Sequence, residues 1–198
     1  MTGERSPVTG SGGGSMADVP AAGPAPASSS LSIDDLDVIA PGAFAVAVAP
    51  LFEGARGFLG RLTMARPFGS IEMLFARAGE IAHAMPLAEQ IELIDAHPRL
   101  GAPPASVSAL SFVEQGYERT PVTPAAELER LNTAYEARFG FRYCVFVAGR
   151  ERAELLPGMT AALEADRDAE IARALDAVID IARARYATLT TAPAEEPA

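Results

Sequence analysis

His97 is followed by Pro98, Arg99 and Leu100, and a Ser-x-x-Glu-Gln segment runs from Ser111 to Gln115. An imidazole and a carboxylate held together are the parts of a general acid/base pair. Pro98 disfavours helical geometry at His97, so a helix ahead of it should stop there. The imidazole would then sit at the negative end of the helix dipole, which favours its protonated form by roughly 0.3–1 kcal/mol. A histidine charged near neutral pH is a proton donor. The same residues also have a plainer reading. His97 can be a C-terminal capping group. Ser111 and Glu114 have capping-box spacing, in which each side chain bonds the other's backbone N–H. The catalytic reading requires Glu114 to turn toward His97 instead. Pro98, Pro103 and Pro104 make the loop 98–110 stiff enough to hold two helix ends in a fixed relation.

The elements that must position this pair read as helices. Ser70 can cap a helix whose apolar face is Ile71, Leu74, Phe75, Ala78 and Ile81. Pro86, at a first-turn position, opens a second with Leu87, Ile91 and Ile94. Thr123-Pro124 opens a third, carrying Leu128, Leu131, Tyr135 and Phe139 and ended by Gly140. A long last helix, about 167–189, buries Ile171, Leu175, Val178, Ile179 and Ala182, and the helix before it should kink or break at Pro157-Gly158. The exception is 142–147, β-branched and aromatic, which reads as an extended buried segment. One such run cannot make a sheet, so the fold class is all-α: a single-domain multi-helix bundle with one short extended buried segment. There is no repeat of fixed period.

Residues 1–30 are mostly Gly, Ser, Pro and Ala and are expected to be a disordered leader, with Met16 as a second candidate start. The domain is expected over 31–189, and 190–198 as a flexible tail. The chain has 198 residues, 49% of them apolar, enough for one buried core. Its 26 acidic residues against 16 basic ones give a net charge of −10, which argues against nucleic acid or an anionic membrane as partner. The apolar run 43–52 is about half the length of a membrane span and makes a poor signal peptide. One cysteine, Cys144, cannot form an internal disulfide, and a cytoplasmic setting is expected. Cys144 itself reads as a buried, inert thiol. His83 reads as a helix residue rather than a ligand. Two histidines and one distant cysteine make no metal pattern, and no phosphate loop or nucleophile elbow occurs. Simple proton-transfer chemistry is what remains.

Three segments carry a resemblance: Ala96-His97-Pro98-Arg99-Leu100-Gly101; Ser111-x-x-Glu114-Gln115; and Leu131-Asn132-x-x-Tyr135-x-x-x-Phe139-Gly140-Phe141. In order and spacing they resemble the signatures of the 2-oxo-4-hydroxy-4-carboxy-5-ureidoimidazoline (OHCU) decarboxylase family. Weaker matches at Leu51-Phe52-Glu53, Arg66-Pro67-Phe68, Glu154-Leu155-Leu156 and Ile181-Ala-Arg183 extend it over about 44–186. The resemblance implies an all-α, usually dimeric enzyme without cofactor or metal, which forms (S)-allantoin in urate breakdown. It implies His97 as proton donor and Glu114 as the group that orients or polarises the substrate. It also implies a substrate pocket lined by Pro98, Ser111, Phe112, Val113, Gln115, Tyr143, Cys144, Val145, Phe146 and Val147, the last five largely through backbone.

The chain departs from the family pattern at four places. Arg56-Gly57 stands for Pro-Trp, Arg142 for the proline after Phe-Gly-Phe, and Gly116-Tyr117 for Ala-Gly-Leu. Ala162 occupies the place where the resemblance implies a substrate-binding arginine, leaving Arg142, Arg150, Arg152 or Arg167 as replacement cations. Two other functions fit the same residues: action on another small ureido or imidazoline acid, and a non-catalytic helical binding module.

Overall fold

A computed structural model describes residues 32–118 and 125–191. The expected leader, the Thr123-Pro124 helix start and the tail beyond 191 lie outside the described residues. Every regular element described is helical: α1 (Ile33–Val38), α2 (Pro41–Val48), α3 (Arg56–Met64), α4 (Ile71–Ala84), α5 (Leu87–Ala96), α6 (Ala109–Glu114), α7 (Ala125–Phe139), α8 (Arg152–Ala162) and α9 (Arg167–Thr191), with 3₁₀ turns at Ala49–Phe52 and Pro104–Ser106.

The long helix α9 organises the rest. Helices α4 and α5 and the 49–52 turn pack on it, and α7 pairs with α8. The reason is its buried stripe, Ile171, Leu175, Val178, Ala182 and Arg185, whose alternating spacing of four and three keeps one side of the helix turned inward. Each buried Leu, Ile or Val there contributes about 1.5–3 kcal/mol. The helix runs through Thr190 and Thr191, the first two residues of the expected tail.

Helix α4 begins as its sequence predicts, with the Ser70 side chain accepting from the Met73 N–H at 3.2 Å. Leu74, Phe75 and Ala78 are buried, with Ala82 completing the face. Pro86 is the N-cap of α5, one place outside the first turn expected for it. Helix α7 buries Leu128, Leu131, Tyr135 and Phe139. The break expected at Pro157 does not occur, because α8 continues to Ala162. A capping box between Glu151 and Glu154 secures its first turn, and burial of Leu155, Met159 and Ala162 offsets the ladder bond that proline cannot make. Residues 142–147, expected to be extended, belong to no helix or strand. Among the described residues no helix is long and apolar enough to cross a membrane, and no cluster of three His, Cys, Asp or Glu could hold a metal ion.

Candidate active site

Helix α5 stops at His97, whose backbone is extended (φ −76°, ψ 138°) and whose N–H bonds the Ile94 carbonyl. The turn that follows is held from three sides. From the extended segment, the Arg142 guanidinium donates to the Asp95 carbonyl at 2.7 Å and the His97 carbonyl at 3.1 Å, and the Arg142 N–H donates to Asp95 Oδ1. A proline at 142 could not make that last bond. From α7, Asn132 Nδ2 donates to the Leu100 carbonyl, and Arg99 pairs with Glu129 and Glu136. From the end of α6, Gln115 Oε1 accepts from the Gly101 N–H and its Nε2 donates to the Arg99 carbonyl.

Gly101 sits at φ +75°, and a Cβ there would lie 2.3 Å from Leu128 Cδ2. Gly101→Ala is therefore expected to destabilise the fold by about 1–3 kcal/mol. A lower denaturation midpoint at unchanged m-value would register it.

His97 is buried, 3% exposed. Its Nδ1 lies 3.2 Å from the Leu93 carbonyl, which makes Nδ1 the protonated nitrogen, and Nε2 has no hydrogen-bond partner. Burial, and then the charge of Arg185, push its pKa down from 6.5 to about 4, against smaller opposing effects of the Leu93 bond and Glu53. The imidazole of the free protein is thus neutral at neutral pH, not charged as the helix-dipole reading expects. The magnitudes decide the matter: the dipole favours the cation by roughly 1 kcal/mol at most, whereas the fall from 6.5 to about 4 corresponds to about 3 kcal/mol against it.

The capping box expected at Ser111 is absent. Ser108 caps α6, its Oγ accepting from the Ser111 N–H at 3.1 Å. Ser111 is freed for a buried network: its Oγ donates to Glu53 Oε1 at 2.6 Å and accepts from Arg185 Nη2 at 2.7 Å. Ser108 Oγ and Arg185 Nη2 also donate to Glu53 Oε1, each at 2.8 Å. Arg185 reaches Glu114 only at 3.4 Å, and its Nη1 donates to the Pro50 carbonyl. The two carboxylates respond in opposite ways. Burial raises the Glu114 pKa, outweighing Arg185 and the Val147 N–H. At Glu53 burial also acts upward, but the bond from Ser111, the charge of Arg185 and the bond from Ser108 outweigh it, and its pKa is lowered.

His97 and Glu114 line one narrow cleft with about 20 Å³ of free volume, together with Pro98, Leu100, Ser111, Gln115, Tyr143, Cys144, Val145, Val147 and Ile181. Nine of the twelve residues singled out in the sequence meet there, and three do not. Phe112 stacks on Tyr117 with ring centroids 5.2 Å apart. Val113 is exposed on the outer face of α6, and with Phe146 it lines a neighbouring concavity that Glu114 and Arg185 also reach. Gln115 lines the cleft with its amide already bonded to the His97 turn.

The extended segment is anchored from behind. Arg173 donates to the Cys144 carbonyl at 2.9 Å, lies over the Tyr143 ring and pairs with Glu170, to which the Tyr135 hydroxyl donates. Burial pushes the Cys144 thiol up to about 12, so it is neutral at physiological pH. His83 is part of a surface pair with Asp176.

The arginine question is answered elsewhere than expected. Ala162 is buried away from the cleft, in the wall of a separate concavity beside Tyr143 and Arg173. None of the four candidate replacements serves the cleft. Arg142 holds the His97 turn, Arg150 bonds the Val147 and Phe146 carbonyls, Arg152 lies over Tyr117, and Arg167 bonds the Phe139 carbonyl. The cation behind the cleft is Arg185, with Glu53 as its partner, and neither was picked out as a site residue from sequence. The signal for Arg185 was present: a charged residue at the end of an otherwise apolar helical stripe must be paired if it is buried.

Comparisons with known proteins agree with this architecture. The OHCU decarboxylase family model matches residues 39–187. The Bacillus subtilis (strain 168) uric acid degradation bifunctional protein PucL is 30% identical over 167 residues, covering 83% of this chain and 34% of that one. This chain thus spans about a third of that relative's length. The 2-oxo-4-hydroxy-4-carboxy-5-ureidoimidazoline decarboxylase of Halalkalicoccus jeotgali is 28% identical over 163 residues, covering 81% of this chain and 92% of the relative. Among solved structures, an OHCU decarboxylase crystallised in the presence of (S)-allantoin shares the fold, with a TM-score of 0.60 at 21% identity over 74% of this chain and 98% of that one. With the family model spanning nearly all of the described residues, the chain belongs to the OHCU decarboxylase family.

Proposed function

We propose that this protein decarboxylates 2-oxo-4-hydroxy-4-carboxy-5-ureidoimidazoline to (S)-allantoin in urate degradation, with His97 as proton donor and Glu114 as the orienting group. The observation that carries this reading is the unpartnered His97 Nε2 in the same cleft as a carboxyl of raised pKa. The bond from the ring carbon to the carboxylate breaks, CO2 leaves, and the adjacent C=N takes up the electron pair. As the pair returns to carbon, Nε2 delivers a proton to one face of the ring and fixes the product's hand. Positioning and one acid suffice for such a step.

Because free His97 is neutral, it must acquire that proton as substrate arrives. An anionic substrate supplies the means, since a negative charge beside the imidazole works against both burial and Arg185. Glu114, protonated more readily than an ordinary carboxyl, can donate a hydrogen bond to a substrate oxygen while His97 acts. The walls from Tyr143, Cys144, Val145 and Val147, with Pro98, Ser111 and Gln115, fit a small polar heterocycle. The same reading carries a cytoplasmic setting, in keeping with a lone cysteine that can form no internal disulfide, and a homodimer, as the family resemblance implies.

The test is to generate the substrate from urate with urate oxidase and hydroxyisourate hydrolase and follow its loss. Loss faster than the spontaneous decay supports the reading, and a rate equal to spontaneous decay refutes it.

A further inference from the structure

Glu53 has a backbone that glutamate rarely adopts. It lies in the left-handed region (φ 49°, ψ 29°) at the end of the 49–52 turn, followed by Gly54 at φ 73°. Gly, Asn or Asp occupies that region more easily. The conformation turns the glutamate side chain into the interior, where one oxygen, Oε1, takes donors from Ser108, Ser111 and Arg185. Arg185 has a second carboxylate within reach in Glu114, but at 3.4 Å against 2.8 Å for Glu53.

Resting on the decarboxylase reading, we infer that Glu53 is a positioning residue of this site: by holding Arg185 as its own partner, it keeps Glu114 out of a full ion pair and so available for proton exchange with the substrate. Every charged or titratable group around Glu114 fits this division. Arg185, from α9, is the cation that reaches the Glu114 carboxyl, at 3.4 Å, and Glu53 lies across it; nearby, Arg152 bonds the Gln115 carbonyl and lies over Tyr117, and Arg150 bonds the Val147 and Phe146 carbonyls. His97 at the end of α5 is neutral, as is Cys144 in the extended segment, where Val147 offers a backbone N–H. With the charge of Glu53 removed, Arg185 would turn to Glu114, and a close cation lowers a carboxyl pKa by about 1–3 units. Glu114 would then hold a proton less readily and donate less.

The experiment is a ¹³C carboxyl NMR titration of the glutamates in the wild-type protein and in Glu53→Gln, which keeps the shape and an acceptor oxygen. The expected wild-type result is Glu114 titrating above Glu53. In Glu53→Gln the Glu114 midpoint should fall by about 1 unit or more. Turnover should fall about tenfold or more with no rise in KM, and the basic limb of its pH profile should move to lower pH. Glu114 titrating below Glu53 in the wild type would overturn the inference without any variant. So would an unmoved Glu114 midpoint in a folded Glu53→Gln, which is what a purely structural glutamate predicts. If the wild type fails to accelerate decarboxylation, the decarboxylase reading fails, and the titration still decides whether Glu53 controls Glu114.

Discussion

Arg185→Ala is expected to lower the melting temperature by about 10 °C or more and to remove turnover even where the protein stays folded. The guanidinium is 3% exposed, and the side chains of Glu53 and Glu114 are 13% and 14% exposed. Removing one partner of a buried pair costs about 3–5 kcal/mol, because the remaining charge is left without compensation. Here the loss is shared by two carboxylates, the Ser111 hydroxyl and the Pro50 carbonyl. Calorimetry of the variant measures the first effect, and its rate below the transition measures the second. Arg185→Lys should not restore the wild type, because a compact ammonium cannot serve the Pro50 carbonyl and the Glu53–Ser111–Glu114 side of the network together. A melting temperature within a degree or two of wild type for Arg185→Ala would contradict the buried network.

His97→Gln is expected to lower turnover by about 10²–10⁴-fold, the usual contribution of a positioned acid or base, and to change how stability depends on pH. His97 has a folded pKa of about 4 against 6.5 when unfolded. Between those values the unfolded chain binds the proton and the folded one does not. Stability is therefore full above pH 6.5 and falls as pH drops toward about 4, by up to about 3 kcal/mol from this residue alone. The glutamine amide can still donate to the Leu93 carbonyl but cannot titrate. Denaturant unfolding at a series of pH values should show that slope in the wild type and a flatter one in His97→Gln. A variant with the wild-type slope would mean that His97 is not held neutral in the free protein.

Much of the scaffold was legible in the sequence, because it depends on local chemistry. The apolar period of α4, α7 and α9, the Ser70 cap and the proline after His97 act within a few residues of themselves, and the structure follows them. That 142–147 stays out of any helix is also readable, since β-branched and aromatic residues in succession suit no helix face. The failures share a different cause. Ser111 and Glu114 have capping-box spacing, yet Ser108 makes the cap, because Glu53 and Arg185 compete for Ser111 from positions 58 and 74 residues away in sequence. The charge state of His97 is not legible locally, because burial depends on how the surrounding elements close around it. Pro157 predicts a kink or break, and tertiary packing carries α8 through it. Arg183, in the last matched fragment, lies over Phe75, and the buried cation is two residues further on, at the next inward position of the stripe.

In the proposed reaction His97 protonates one face of the substrate as CO2 departs. Circular dichroism of the product tests it most directly. With enzymatically generated substrate, the wild-type protein is expected to build the signal of (S)-allantoin while His97→Gln leaves only the slow, optically inactive product of spontaneous decay. An optically inactive product from the wild type, or an undiminished (S)-allantoin signal from His97→Gln, would contradict His97 as the donor.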